Sequence, residues 1–160
     1  MKRIILVGRG TSGKDYLRKR FETKGFKYQI SYTTRPPREG EVDGVDCFFI
    51  TQEKADEMTQ KGEWKHLIYF NNWGYGTTKE QFYSDDCPIF LFTPEAIELI
   101  SEEDMKTSFI IYLDPPSRII KKRLSERKMP GDTAERRYKA DVKQFKNFNT
   151  YDMRITTSNW

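Results

Sequence analysis

The run Gly8-Arg9-Gly10-Thr11-Ser12-Gly13-Lys14 follows Ile4-Ile5-Leu6-Val7 directly, which commits the chain to an apolar strand, a glycine-rich turn and a helix start in immediate succession. Three glycines let successive backbone N–H groups turn toward one point. The helix that follows aims its positive end at the same point, and a lysine ammonium reaches the outer phosphates of a nucleotide held there. Gly8, Gly13 and Lys14 have the required spacing, so Gly8, Gly10, Thr11, Ser12, Gly13, Lys14 and Asp15 are the expected triphosphate cradle. The pattern breaks at one place. Asp15 stands where a Ser or Thr hydroxyl normally ligates magnesium, and its carboxylate is the candidate metal ligand in exchange. A glycine-rich turn with a structural role only is the competing reading.

A chain of 160 residues buries one core, so a single domain is expected. Lys2-Arg3 followed by apolar residues imitates a secretory leader, but Gly8 ends the apolar run after four residues, and it reads as a first strand. No segment approaches the eighteen or so apolar residues of a membrane span. With Cys47 and Cys87 the only cysteines, free thiols and a reducing cytoplasmic setting are expected, both as small buried apolar groups. The net charge of +4 and pI near 9.0 suit a phosphate binder, yet the excess is too small to argue for nucleic acid.

Short apolar runs alternate with helical ones, the signature of an α/β fold. Strands are expected at Ile4 to Val7, Tyr28 to Tyr32, Cys47 to Thr51, Trp64 to Phe70, Pro88 to Phe92 and Phe109 to Leu113, with Asp152 to Thr157 closing the sheet. Helices are expected at Gly13 to Thr23, Gln52 to Lys61, near Lys79, at Pro94 to Ile100 under a Thr93 cap, at Arg118 to Arg127 and at Thr133 to Asn147. Asn71 to Gly76 reads as a turn.

The segment from Ser31 to Asp46 contains Arg35-Pro36-Pro37-Arg38, two guanidiniums flanking prolines that stiffen the loop, suited to gripping a monophosphate bidentately. Together with the phosphate loop, this segment resembles guanylate kinase. The resemblance continues at Gly74-Tyr75-Gly76-Thr77, Pro115-Pro116-Ser117, Lys122-Arg123-Leu124 and Arg136-Arg137, and covers about residues 3 to 157. It implies an α/β three-layer sandwich with a parallel core sheet (about 1–32 and 86–160), a small α+β acceptor-nucleotide subdomain (about 33–83) and a helical lid (about 123–137). It implies transfer of the γ-phosphoryl of ATP, with Mg²⁺, to a nucleoside monophosphate. Ser31, Arg35, Arg38, Tyr75 and Thr77 would hold the acceptor. Arg123, Arg127 and Arg137 would join Lys14 and Arg35 in stabilising transition-state charge.

Departures cluster where the family reads guanine. An ungapped alignment puts His66 at the guanine-reading glutamate, Leu91 and Thr93 at two aspartates, and Cys47 at a second phosphate-contacting tyrosine. A gapped alignment places Glu63 at the base instead. Charge-assisted hydrogen bonds contribute ~1.5–3 kcal/mol each, so the loss of carboxylates changes base preference by orders of magnitude. A neutral imidazole and a threonine hydroxyl, at His66 and Thr93, can face a pyrimidine O4 or purine O6, or a modified base. The compact chain and altered pocket suit a phage enzyme of deoxynucleotide metabolism. Two other classes remain: a non-catalytic guanylate kinase-like module that binds a phospho-ligand, and a polynucleotide-end kinase. The intact Lys14 and glycines favour the enzyme over the module. Adenine contacts are unassigned; Asn159 lies one or two positions off the family's asparagine.

Overall fold

The computed structural model describes residues 1–127 and 132–157. Its larger sheet is wholly parallel and runs, edge to edge, Lys27–Tyr28 (β2), Pro88–Phe92 (β7), Arg3–Gly8 (β1), Ser108–Leu113 (β8) and Met153–Ile155 (β9). Every residue of β1 is buried, as a central strand covered on both faces requires. Ile5 and Val7 face a cluster with Phe90, Phe92, Ile110 and Phe145. Ile4 and Leu6 face the opposite cluster, where Leu17 and Phe21 of the helix Lys14–Glu22 (α1) close the layer. Burial of such side chains contributes roughly 1.5–3 kcal/mol each, so this alternation secures the strand that carries the phosphate loop.

A second, four-stranded sheet is ordered Phe48–Phe49 (β4), Tyr32–Thr33 (β3), Trp73–Thr78 (β6) and Trp64–Phe70 (β5). The helix Gln52–Gln60 (α2), capped by the Thr51 hydroxyl, precedes β5, and Lys79–Phe82 (α3) follows β6. Ile68 of β5 and Phe82 of α3 pack into the core cluster beside β7, joining the two sheets through apolar contact.

Two expectations are corrected here. Tyr28 to Tyr32 is not one strand: β2 pairs with β7 in the large sheet and β3 with β6 in the small one, so the segment between them passes from sheet to sheet. Asn71 to Gly76 is a turn only at Asn71 and Asn72, whose φ values of 50° and 65° are those of a hairpin's two central residues. Trp73 onward is the strand β6, paired antiparallel with β5.

The remaining helices are Pro94–Glu98 (α4), capped by Thr93 as expected, Glu102–Lys106 (α5), which sequence periodicity did not reveal, Ser117–Glu126 (α6) and Ala134–Phe145 (α7). α6 and α7 pack against each other at the phosphate-loop end of the large sheet. No described helix is long and apolar enough to cross a membrane.

Candidate active site

The loop from β1 to α1 is shaped by what its glycines permit. A Cβ at Gly8 would lie 2.6 Å from both the Leu113 carbonyl oxygen and Ser12 Oγ. Gly13, at φ 104°, occupies the N-cap of α1 without a side-chain cap, which leaves the first-turn N–H groups to an anion. Lys14 Nζ donates to the carbonyls of Gly8 at 2.6 Å and Arg9 at 2.9 Å, folding its ammonium over the loop. Burial pulls its pKa down to about 8, against the carboxylates of Asp15 and Asp141, which favour the charged form. A phosphate brought to this ammonium would stabilise the charge that burial disfavours.

Beside the loop lies a cleft of about 370 Å³, lined by Thr11, Ser12, Gly13, Lys14, Asp15, Tyr16, Arg123 and Arg127. Two of the three expected lid arginines therefore meet the loop here. Arg123 donates to the Thr11 carbonyl at 3.1 Å. Arg137 lines a second cavity of about 130 Å³, with Gly8, Gly10, Lys14, Leu91, Thr93 and Asp141, between the loop and the C-terminal end of β7. Its neighbour Arg136 turns instead to Asp132. Asp15 is 80% exposed at the cleft, where its carboxylate pairs with Arg18 Nε at 3.6 Å.

In the small sheet, Arg35 and Tyr75 come together, the register pairing Thr33 with Tyr75. Glu41 holds the Arg35 guanidinium as a fork, at 2.9 and 3.0 Å, and also accepts from the Arg38 backbone N–H at 2.7 Å. The pairing with Arg35 keeps the Glu41 carboxyl below its ordinary pKa. Arg38's side chain is exposed, and Ser31 is half-buried, its carbonyl taken by Phe48 N–H at 2.9 Å. Cys47 is half-buried near both arginines, and burial raises its thiol pKa; Cys87 is exposed, not buried as expected.

His66 and Thr77 are cross-strand partners on β5 and β6. His66 is 9% exposed, meets the Phe92 ring edge-to-face at 4.6 Å, and has a buried Nδ1 without a partner. Burial lowers its pKa to about 4, leaving the imidazole neutral near pH 7. Glu63 lies ahead of β5 and is exposed. The Thr93 oxygen accepts the Ala96 N–H at 3.4 Å as the α4 cap, which leaves its O–H to donate and one lone pair to accept at the second cavity that it lines. Asn159 lies outside the described residues.

Three partners were missed in the sequence. Asp141, on α7, accepts the Gly10 N–H at 2.7 Å, and Glu41 orients Arg35. Arg9, within the loop itself, faces away from the cleft to Asp114 at 3.0 Å and the Pro115 carbonyl at 2.9 Å, and Asp114 also binds Arg154. A charged residue inside a glycine-rich loop was the available signal for the last.

A parallel sheet, a glycine loop with a folded-over lysine and a second arginine-lined site define a phosphate-loop nucleotide-binding protein. The sequence model of the family described as guanylate kinase matches residues 1–159. The chain is 34% identical over 171 residues to the guanylate kinase of Bacillus subtilis (strain 168), covering 98% of this chain and 80% of that protein. It is 32% identical over 151 residues to that of Clostridioides difficile (strain 630), covering 91% and 72%. The crystal structure of guanylate kinase from Anaplasma phagocytophilum superposes with a TM-score of 0.74 over 98% of this chain and 77% of that one, at 17% identity, a likeness of fold. The chain belongs to the guanylate kinase family, whose members are nucleoside monophosphate kinases.

Proposed function

We propose that the protein transfers the γ-phosphoryl of ATP to a (deoxy)nucleoside monophosphate whose base is read differently from guanine in the family. The observation that carries the transfer is the arrangement of Lys14, Arg123 and Arg137 around one phosphate loop, with the Arg35 fork in the adjoining sheet. The acceptor phosphate is an anionic nucleophile, so the protein's task is positioning and charge neutralisation, and no general base is needed. Lys14 and the first-turn N–H groups of α1 hold the triphosphate; Arg35, oriented by Glu41, grips the acceptor; the lid arginines neutralise charge as it develops.

The donor set suits Mg²⁺, a hard cation satisfied by one or two carboxylates together with phosphate and water oxygens, and Asp15 is the exposed carboxylate at the cleft that would hold it. When bound, the ion would offset negative charge on the phosphates. Altered base reading is supported by His66, a neutral ring with an unpaired nitrogen where the family's glutamate is aligned. The imidazole can donate to a carbonyl such as a pyrimidine O4 or a purine O6.

A coupled ADP-release assay with ATP and Mg²⁺ across ribo- and deoxyribonucleoside monophosphates, hydroxymethylated pyrimidines included, tests the reading. Turnover of at least one is expected. ATP binding with no turnover on any of them contradicts it and points to the phospho-ligand module.

A further inference from the structure

Asp141 is a buried carboxylate, 2% exposed, whose two oxygens serve two different elements. Oδ2 accepts the Gly10 N–H at 2.7 Å, and Oδ1 lies 3.3 Å from Arg137 Nε, one helical turn earlier on α7. A Cβ at Gly10 would come within 3.0 Å of Oδ2, so loop and carboxylate are closely fitted. A buried charge is retained only with partners, and these two satisfy it from opposite sides.

Asp141 takes nothing from the side of the loop where phosphates fit. The larger cleft is lined by loop residues from Thr11 onward, whereas Gly10 N–H turns to the smaller cavity that Asp141 shares with Lys14 and Arg137. Two cations against one carboxylate leave that cavity's lining positive on balance, which suits a phosphoryl group in transit rather than a metal ion. Arg137 itself is 39% exposed. An i,i+4 pair on a helix surface contributes little, because two mobile side chains must be ordered together. Here one of the two is already immobilised by the loop, so the guanidinium loses less freedom when it settles.

We propose that Asp141 is a positioning residue for phosphoryl transfer, which ties the lid helix α7 to the phosphate loop and aims Arg137 into the cavity between the loop and the end of β7. The inference rests on the transfer reading above. In this role Asp141 acts through Gly10 and Arg137.

Asp141→Asn keeps an oxygen for Gly10 N–H and removes the charge that holds Arg137. Against the best acceptor, its kcat is expected to fall roughly 10- to 100-fold, the scale of a misaimed catalytic group, while KM for ATP stays within about twofold. Added to Arg137→Ala, the same change should lower kcat by less than about twofold, because the residue to be aimed is gone. Unchanged kcat in Asp141→Asn, or full additivity with Arg137→Ala, overturns the aiming role. Amide exchange at Gly10, followed in the ligand-free protein, reads the tether without any turnover. It should quicken in Asp141→Ala while the thermal melt stays cooperative, and equal exchange in variant and wild type overturns the tether. A wild-type protein that turns over no monophosphate overturns the transfer reading and the aiming role together, and the Gly10 exchange then still decides the tether.

Discussion

At the phosphate-loop end of the molecule, charged side chains are held in place before any ligand arrives. Lys14 lies on two loop carbonyls, Arg123 on a third, and Arg137 on Asp141. At the base end, in contrast, His66 is buried against Phe92 with its Nδ1 unpaired. Under the proposed function, the difference follows from what each end would recognise. Phosphates are alike in every nucleotide, so the groups that neutralise them are constrained by charge and position together. A base is distinguished by a few hydrogen bonds, and one substitution on β5 is enough to rewrite them without disturbing the loop across the core.

The sharpest way to break this contrast is at the loop. Lys14→Ala should lower kcat/KM by about 10³-fold or more, the scale of a lost charge stabiliser of the transferring phosphoryl, whichever acceptor is used. Initial rates check it, and a loss confined to one base would contradict the division.

At the base end the expected signature is acid sensitivity. Burial holds the folded His66 pKa at about 4 against an ordinary 6.5, so as pH falls through this window the unfolded chain takes up a proton that the folded chain refuses. Stability is therefore lost on acidification from 6.5 toward 4, by up to about 3 kcal/mol, and is unaffected above that window. Urea titrations of wild type and His66→Leu at both pH limits measure it, and parallel losses in the two proteins would show that the ring is not buried as described.

Arg35→Lys keeps the charge and loses the fork that Glu41 orients. KM for the acceptor should rise about tenfold or more with KM for ATP unchanged, since a point charge cannot grip two phosphate oxygens at once. Steady-state titration of each substrate separates the two. The smallest effect is expected at Asp15. Asp15→Ala should raise the Mg²⁺ concentration for half-maximal rate a few-fold, about the cost of one exposed carboxylate ligand, and unchanged magnesium dependence and turnover would remove Asp15 from the metal site.

The phosphate loop and the large sheet were readable because their signals are local: a continuous apolar run, glycines at fixed spacing and a lysine. Tyr28 to Tyr32 misled because a short run cannot say which sheet it joins, and the chain changes sheets within it. Trp73 to Thr78 was hidden by its two glycines and by Asn71 and Asn72 just ahead of it, and only pairing with β5 makes it a strand. Thr93 was legible as the α4 cap, and a cap and a ligand group can use the same hydroxyl, so the sequence offers both roles at one residue. Asp141 was invisible for a different reason. It sits 131 positions from Gly10, and nothing in an amphipathic helix marks which acid turns inward to a distant loop.

The central claim is that the transfer machinery is intact while the base reading has changed, and it turns on one residue. The most direct test is kcat/KM for GMP and for the best non-guanine monophosphate, measured in wild type and in His66→Glu. The account predicts that wild type favours the other base and that the glutamate shifts the ratio toward GMP by about tenfold or more, the worth of one charge-assisted hydrogen bond. A wild type that already prefers GMP to every other acceptor, with a ratio indifferent to the substitution, would contradict it.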